Sequence, residues 1–151
     1  MGESLKTRVM KHMFNLFPVF RRTGGRITYF SSAWDEIQLK LPLNWKTRNY
    51  VGTMYGGSMY AAIDGIYMVM LINLLGKRYI VWDKRAEIKY LKPGRGTLKT
   101  RLRIDKEELS EIKRLLEEEK SIERIYTIDR MDKAGDVCSV IHKHIYIKKK
   151  N

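Results

Sequence analysis

Asn49-Tyr-Val-Gly-Thr-Met-Tyr-Gly-Gly-Ser-Met-Tyr-Ala-Ala-Ile-Asp64, running on through apolar residues to Leu75, is the stretch that decides the fold of this chain. From Ser58 to Leu75 nearly every side chain is apolar or small, and Ser58, Asp64 and Asn73 are the strongly polar interruptions. A helix that is apolar on all sides is expected to be buried on all sides. The pattern therefore predicts one long central helix wrapped by a sheet, stopped at Gly76. Its eighteen residues also reach the lower limit for a membrane span. Asp64 would then sit near mid-membrane at high cost, and both flanks read as amphipathic strands, so the wrapped helix is the preferred reading.

Two features of the stretch carry chemistry. Gly56-Gly57 leaves backbone N–H groups uncovered at the helix entrance, where the first amides lack intrahelical partners and the dipole is positive. An oxygen acquiring negative charge is stabilised by such amides. Two turns on, Asp64 is a carboxylate on an apolar helix, and burial is expected to raise its pKa and make it a better proton acceptor. An oxyanion site followed by a base is the minimum equipment for acyl-group hydrolysis. Equally, the glycines can serve only close packing, and Asp64 can be a structural carboxylate satisfied by a partner.

The spacing is more specific than either residue alone. Asn49, five residues, Tyr55-Gly56-Gly57, six residues and Asp64 resembles the active-site segment of hotdog-fold acyl-CoA thioesterases of the phenylacetate-pathway type. That family has Asn, five residues, His-Gly-Gly, six residues and Asp. Tyr55 stands where the family has His, and a phenol with a pKa of about 10 does not switch charge near neutrality as imidazole does. The resemblance is closer still to a less characterised hotdog subfamily, in which a segment like Asn49 to Gly57 precedes the long helix and one like Arg85-Ala-Glu-Ile-Lys-Tyr-Leu-Lys-Pro93 follows it.

The resemblance covers residues 26 to 148 and implies an α+β hotdog fold, a curved antiparallel sheet around the central helix. It implies homodimers or dimers of dimers with the site between subunits. Carried over residue by residue, the Gly56 amide polarises a thioester carbonyl, Asp64 acts as base or nucleophile, and Asn49 orients water or the acyl carbonyl. Tyr55 and Gly57 border the substrate, and Asp83 lies near the position of a polar helper residue. The implied partner is an acyl-CoA or another acyl thioester; a non-catalytic acyl-CoA-binding or lipid-binding hotdog is the alternative.

The rest of the chain fits that frame. Its 151 residues suit a single domain, 1–151, with an N-terminal amphipathic helix over 1–22 and the hotdog core over 26–148. Leu5, Val9, Met13, Leu16, Phe17 and Phe20 mark one helical face, expected to pack on the protein's own sheet or on a partner subunit, with an anionic membrane as the less ordinary use. Strands are expected at Ile27 to Ser31, Ile37 to Leu41, Tyr79 to Lys92 and Leu98 to Ile104, and in a hairpin over 121–148. Along the third of these, Ile80, Trp82, Ala86, Ile88 and Tyr90 share one side, Asp83, Arg85, Glu87 and Lys89 the other, and Lys84 breaks the pattern as a bulge or edge would. Asp105 with Glu108 reads as a capping box for a surface helix.

A net charge of +13 favours anionic partners. Coenzyme A fits that field, and nucleic acid or a membrane surface are the weaker alternatives. The single cysteine, Cys138, excludes an intrachain disulfide; with no secretory-signal pattern the expected compartment is the cytoplasm. His142 and His144 lie two apart, but only His12 remains as a third imidazole, so no metal is expected. No cofactor is expected either, since the sequence has no phosphate-cradling glycine motif of the P-loop or dinucleotide type.

Overall fold

A computed structural model of the protein describes residues 2–150. Two N-terminal helices, α1 (Leu5–Leu16) and α2 (Pro18–Arg22), precede strands β1 (Arg26–Phe30) and β2 (Glu36–Leu41). A loop leads to α3 (Gly56–Ala61) and α4 (Ile66–Leu75). Then follow β3 (Tyr79–Tyr90), β4 (Leu98–Arg103), α5 (Lys106–Glu118), β5 (Ser121–Met131) and β6 (Val137–Lys149). The six strands form one antiparallel sheet in the order β1-β2-β4-β5-β6-β3.

Alternation sets the inner face of that sheet. Ile37, Leu39 and Leu41 of β2, Leu98 and Leu102 of β4, and Ile141, Ile145 and Ile147 of β6 are all buried, while charged neighbours such as Lys40 and Lys99 point outward. They share one core with Met59, Ala62, Ile63, Met70 and Leu71 from α3 and α4. Each such aliphatic chain contributes about 1.5–3 kcal/mol of burial free energy. This is the α+β hotdog arrangement expected from the motif.

The central helix differs from expectation in two ways. It is broken: between α3 and α4 the amides of Ile63 and Asp64 bond three residues back, to Tyr60 and Ala61, and Gly65 takes a left-handed φ of 75°. Arg130 of β5, fully buried, donates to the Met59 carbonyl from Nε (2.9 Å) and Nη2 (2.8 Å), and so occupies an acceptor in the turn where the helix gives way. Nor is it buried all round, since Asp64, Ile72 and Asn73 are exposed. Gly56–Leu75 is apolar enough, by length and composition, to cross a membrane; here the sheet covers its buried side.

The N-terminal helix also departs from its pattern. Pro18 opens a second helix, as suits the first helical position. More consequentially, α1 is inverted. Leu5, Val9, Met13, Leu16 and Phe17 are exposed, and the face turned to the sheet carries Thr7, Lys11, Phe14 and Asn15. The reason is the edge of β1. Asn15 donates to the Ile27 carbonyl (2.9 Å) and accepts from its amide (2.8 Å), Glu3 accepts from the Phe30 amide (2.9 Å), and Lys11 pairs with Glu3 (2.8 Å). Unpaired backbone groups on an edge strand demand polar partners, and that demand outranks the apolar stripe.

At the other edge, β3 pairs only with β6 among the described residues. Its register shifts between Asp83 and Arg85, placing the expected bulge at Lys84. One extra residue moves every later side chain to the other face. Val81 and Asp83 before the bulge, and Ala86, Ile88 and Tyr90 after it, therefore share the inner face, whereas Trp82 is exposed. The expected grouping of Ile80 and Trp82 with Ala86, Ile88 and Tyr90 does not hold.

Candidate functional site

The Asn49 to Gly57 loop is held by its own polar groups. Asn49 Oδ1 accepts from the amides of Val51 (3.1 Å) and Thr53 (3.0 Å), and its Nδ2 donates to Thr53 Oγ1 (2.9 Å). The carry-over makes Asn49 an orienter of water or carbonyl; the structure gives its side chain the task of shaping the loop. Tyr55 stands as the residue before α3, with no side-chain cap. The Ser58 and Met59 amides bond back to the Tyr55 carbonyl, and the Gly56 and Gly57 amides, first in the helix, have no intrahelical acceptor.

Both glycines are approached closely by exposed tyrosine side chains, which would have to turn aside for a larger residue. A Cβ on Gly56 would lie 2.7 Å from the Tyr90 hydroxyl, and one on Gly57 would lie 2.5 Å from the Tyr55 ring. Two tyrosines thus flank a cleft of about 760 Å³ lined by Asn49, Tyr55, Gly56, Gly57 and Tyr90.

Asp64 lies elsewhere, in the turn before α4. It is half-exposed (51%), and its Oδ1 accepts from Lys143 Nζ (2.8 Å) and the Tyr60 hydroxyl (2.9 Å). Lys143, on β6 and only 2% exposed, also donates to the Tyr60 hydroxyl (3.1 Å) and lies 3.1 Å from Asp83 Oδ1. The Asp83 contact is an ion pair rather than an aligned hydrogen bond. One ammonium thus joins two carboxylates, one from the central helix and one from the free-edge strand.

The expected rise in the Asp64 pKa does not occur. Burial pushes it up, but the hydrogen bonds from Lys143 and Tyr60, with the Lys143 charge, outweigh burial and hold the carboxyl below its ordinary value. Burial likewise pushes the Lys143 ammonium toward neutrality, and its bonds to Asp64 and Tyr60 with the Asp83 charge more than reverse that. Asp64 is therefore an anion at neutral pH. Beside it opens an apolar groove of about 440 Å³ lined by Phe14, Phe17 and Phe20 of the N-terminal helices and by Ile66 and Val69 of α4.

Within one chain the two halves of the motif line separate cavities, Gly56 in the first and Asp64 in the second. Of the expected residues, Asn49, Tyr55, Gly56 and Gly57 come together, and Asp64 comes together with Asp83. Lys143, Tyr60 and Tyr90 were not singled out from sequence, although signals for two of them were present. Lys143 alternates with Ile141, Ile145 and Ile147, which puts a cation on the apolar face of a strand, and Tyr60 lies four residues before Asp64. His142 and His144 turn to different neighbours, Thr127 and Glu123. Among the described residues no cluster of His, Cys, Asp and Glu is arranged to hold a metal.

The profile of a family described as "Domain of unknown function (DUF4442)" matches residues 6–147. The chain belongs to this DUF4442 family. No curated protein sequence matches it. Among solved structures, it is similar to a Pseudomonas aeruginosa protein of unknown function described as "Probable Thioesterase" (TM-score 0.83, 18% identity, 99% of each chain covered). It is also similar to a Chlorobaculum tepidum protein of unknown function (TM-score 0.72, 19% identity, 96% of this chain and 95% of that one). A thioesterase from Haemophilus influenzae matches with a TM-score of 0.69 and 14% identity, over 97% of this chain and 93% of the other. These likenesses bear out the hotdog fold that the motif implied.

Proposed function

We propose that this protein hydrolyses an acyl-CoA or related acyl thioester at sites formed between two copies of the chain. The observation that carries this reading is the placement of the two half-sites along β3. Tyr90 borders the Gly56 cleft, Asp83 borders the Asp64 cluster, and both face inward from β3, whose outer edge pairs with no other strand among the described residues. A twofold antiparallel pairing of β3 with its copy, centred on Glu87 with Lys84 bulged out, sets Asp83 of one chain opposite Tyr90 of the other. The anionic carboxylate of one copy then meets the free amides of its partner, and the cytoplasm, where coenzyme A is used, is the compartment that suits such a reaction. Relatives named as thioesterases share the fold.

In this arrangement the Gly56 amide donates to the thioester oxygen, and the Asp64 carboxylate attacks the carbonyl carbon. The C–S bond breaks, the thiolate leaves and takes a proton, and water hydrolyses the acyl-aspartyl anhydride to release the acid and restore the carboxylate. A carboxylate held below its ordinary pKa is a poor acceptor of a proton from water but is fully ionised at neutral pH, the state that direct attack needs. The groove beside Asp64 offers apolar walls to an acyl chain.

The same ion pair favours a second reading, an acyl-CoA-binding protein without turnover, because Lys143 also damps the nucleophilicity of Asp64 and Tyr55 cannot act as imidazole does. A panel of short, long and aromatic acyl-CoAs, run on the wild type and Asp64→Ala together, separates the two. Turnover abolished in Asp64→Ala supports hydrolysis; calorimetric binding without turnover by either protein supports the second reading.

A further inference from the structure

The inverted helix leaves an apolar face outside, and we propose that this face docks the protein on an anionic lipid bilayer. The polar side of α1 is committed to the β1 edge, so its stripe of Leu5, Val9, Met13 and Leu16 is exposed. The stripe continues beyond α1. Leu16 and Pro18 share a surface depression with Trp45 from the loop after β2, and Trp45 is 76% exposed with Lys46 Nζ 5.2 Å over its ring.

Charge identifies the occupant. Between Glu3 and Asp35 the chain has six Lys and Arg residues and no acidic one, and none occurs between Lys40 and Asp64. Glu3 is already engaged by Lys11 and the Phe30 amide. Lys6, Arg8, Arg21, Arg22 and Lys46 are all exposed and flank or border the apolar stripe. A twofold-related copy on this face would set those cations against their own equivalents with no carboxylate between them. A polyanion such as nucleic acid would leave the aliphatic chains uncovered. An anionic bilayer surface satisfies both parts, taking aliphatic and indole groups into the headgroup boundary and cations against the lipid phosphates.

The test is sedimentation of the full chain with vesicles of phosphatidylcholine, with and without an equal share of phosphatidylglycerol. The protein is expected to sediment with the anionic vesicles at low salt, to be released as salt rises, and to show a blue shift of tryptophan emission that Trp45→Phe removes. Val9→Ser with Leu16→Ser should weaken binding about tenfold with an unchanged unfolding temperature, since both positions are exposed. Should that pair unfold, Arg21→Glu with Arg22→Glu replaces it and is expected to abolish the preference for anionic vesicles.

Wild type left in the supernatant with anionic vesicles at low salt overturns the proposal. So does a serine variant that sediments like wild type, or one that elutes as a smaller species than wild type, which would mean that a second copy covers the face. The readout is sedimentation, so the outcome is independent of any thioester turnover.

Discussion

The two edges of the sheet are treated in opposite ways. At β1 the backbone groups that would otherwise be open are met one by one, by Asn15, Glu3 and Lys11 from the N-terminal segment. At β3, a strand more than twice as long, no described element is paired to the outside. Open edges invite pairing with another chain, and the long bare edge is where the proposed second copy would be added. The closed edge bears on stability and, through the inversion of α1, on the character of the surface; the open edge is the one on which the proposed assembly rests.

The largest effect is expected from Asp64→Ala, which should lower turnover about 1,000-fold while leaving the elution volume unchanged. Surviving turnover would detach the open edge from the chemistry. Next comes Ala86→Glu, which sets like charges together at the proposed axis. It is expected to convert the proposed dimer to monomer and lower turnover about 100-fold at assay concentrations, and an unchanged elution volume would place assembly elsewhere.

On the closed edge, Asn15→Ala removes both bonds to Ile27 and should cost about 1–3 kcal/mol in denaturant unfolding without altering assembly. The smallest effect is a shift in pH response. The folded pKa of Asp64 is depressed, so its contribution to stability is present above the unfolded value and is lost as pH falls through the folded one. Lys143→Met leaves burial opposed only by the Tyr60 hydroxyl and the Gly65 amide, and the acid limb of both activity and stability is expected to move upward by about one pH unit; an acid limb that stays in place would show that Lys143 does not set the Asp64 charge.

Much of this was legible in the sequence. The positions of the strands along the chain, the irregularity at Lys84 and the cap at Asp105, whose carboxylate accepts from the Glu108 amide, follow from local pattern. The cap is one-way, because the Glu108 carboxylate turns instead to Arg124 and Tyr126. What was not legible depends on contacts distant in sequence. The break before α4 involves Arg130, seventy-one residues after Met59, a cation that burial pushes down to about 9. The depressed pKa of Asp64 depends on Lys143, seventy-nine residues away. Of the expected uses of the α1 stripe, packing on the protein's own sheet does not hold, because amphipathic periodicity reports an apolar face without saying whether some other element needs the polar one. The site was half legible: the glycine pair and Asp64 stand at the family spacing, yet within one chain they line separate cavities.

The bulge has a consequence for how the chain tolerates change. Seven positions separate Asp83 from Tyr90, an odd step that would aim them to opposite sides of a regular strand, and the one supernumerary residue restores them to a common side. Lys84 itself merely reaches a surface glutamate. It is a spacer: nearly any amino acid can replace it, whereas excising it would turn half the strand inside out.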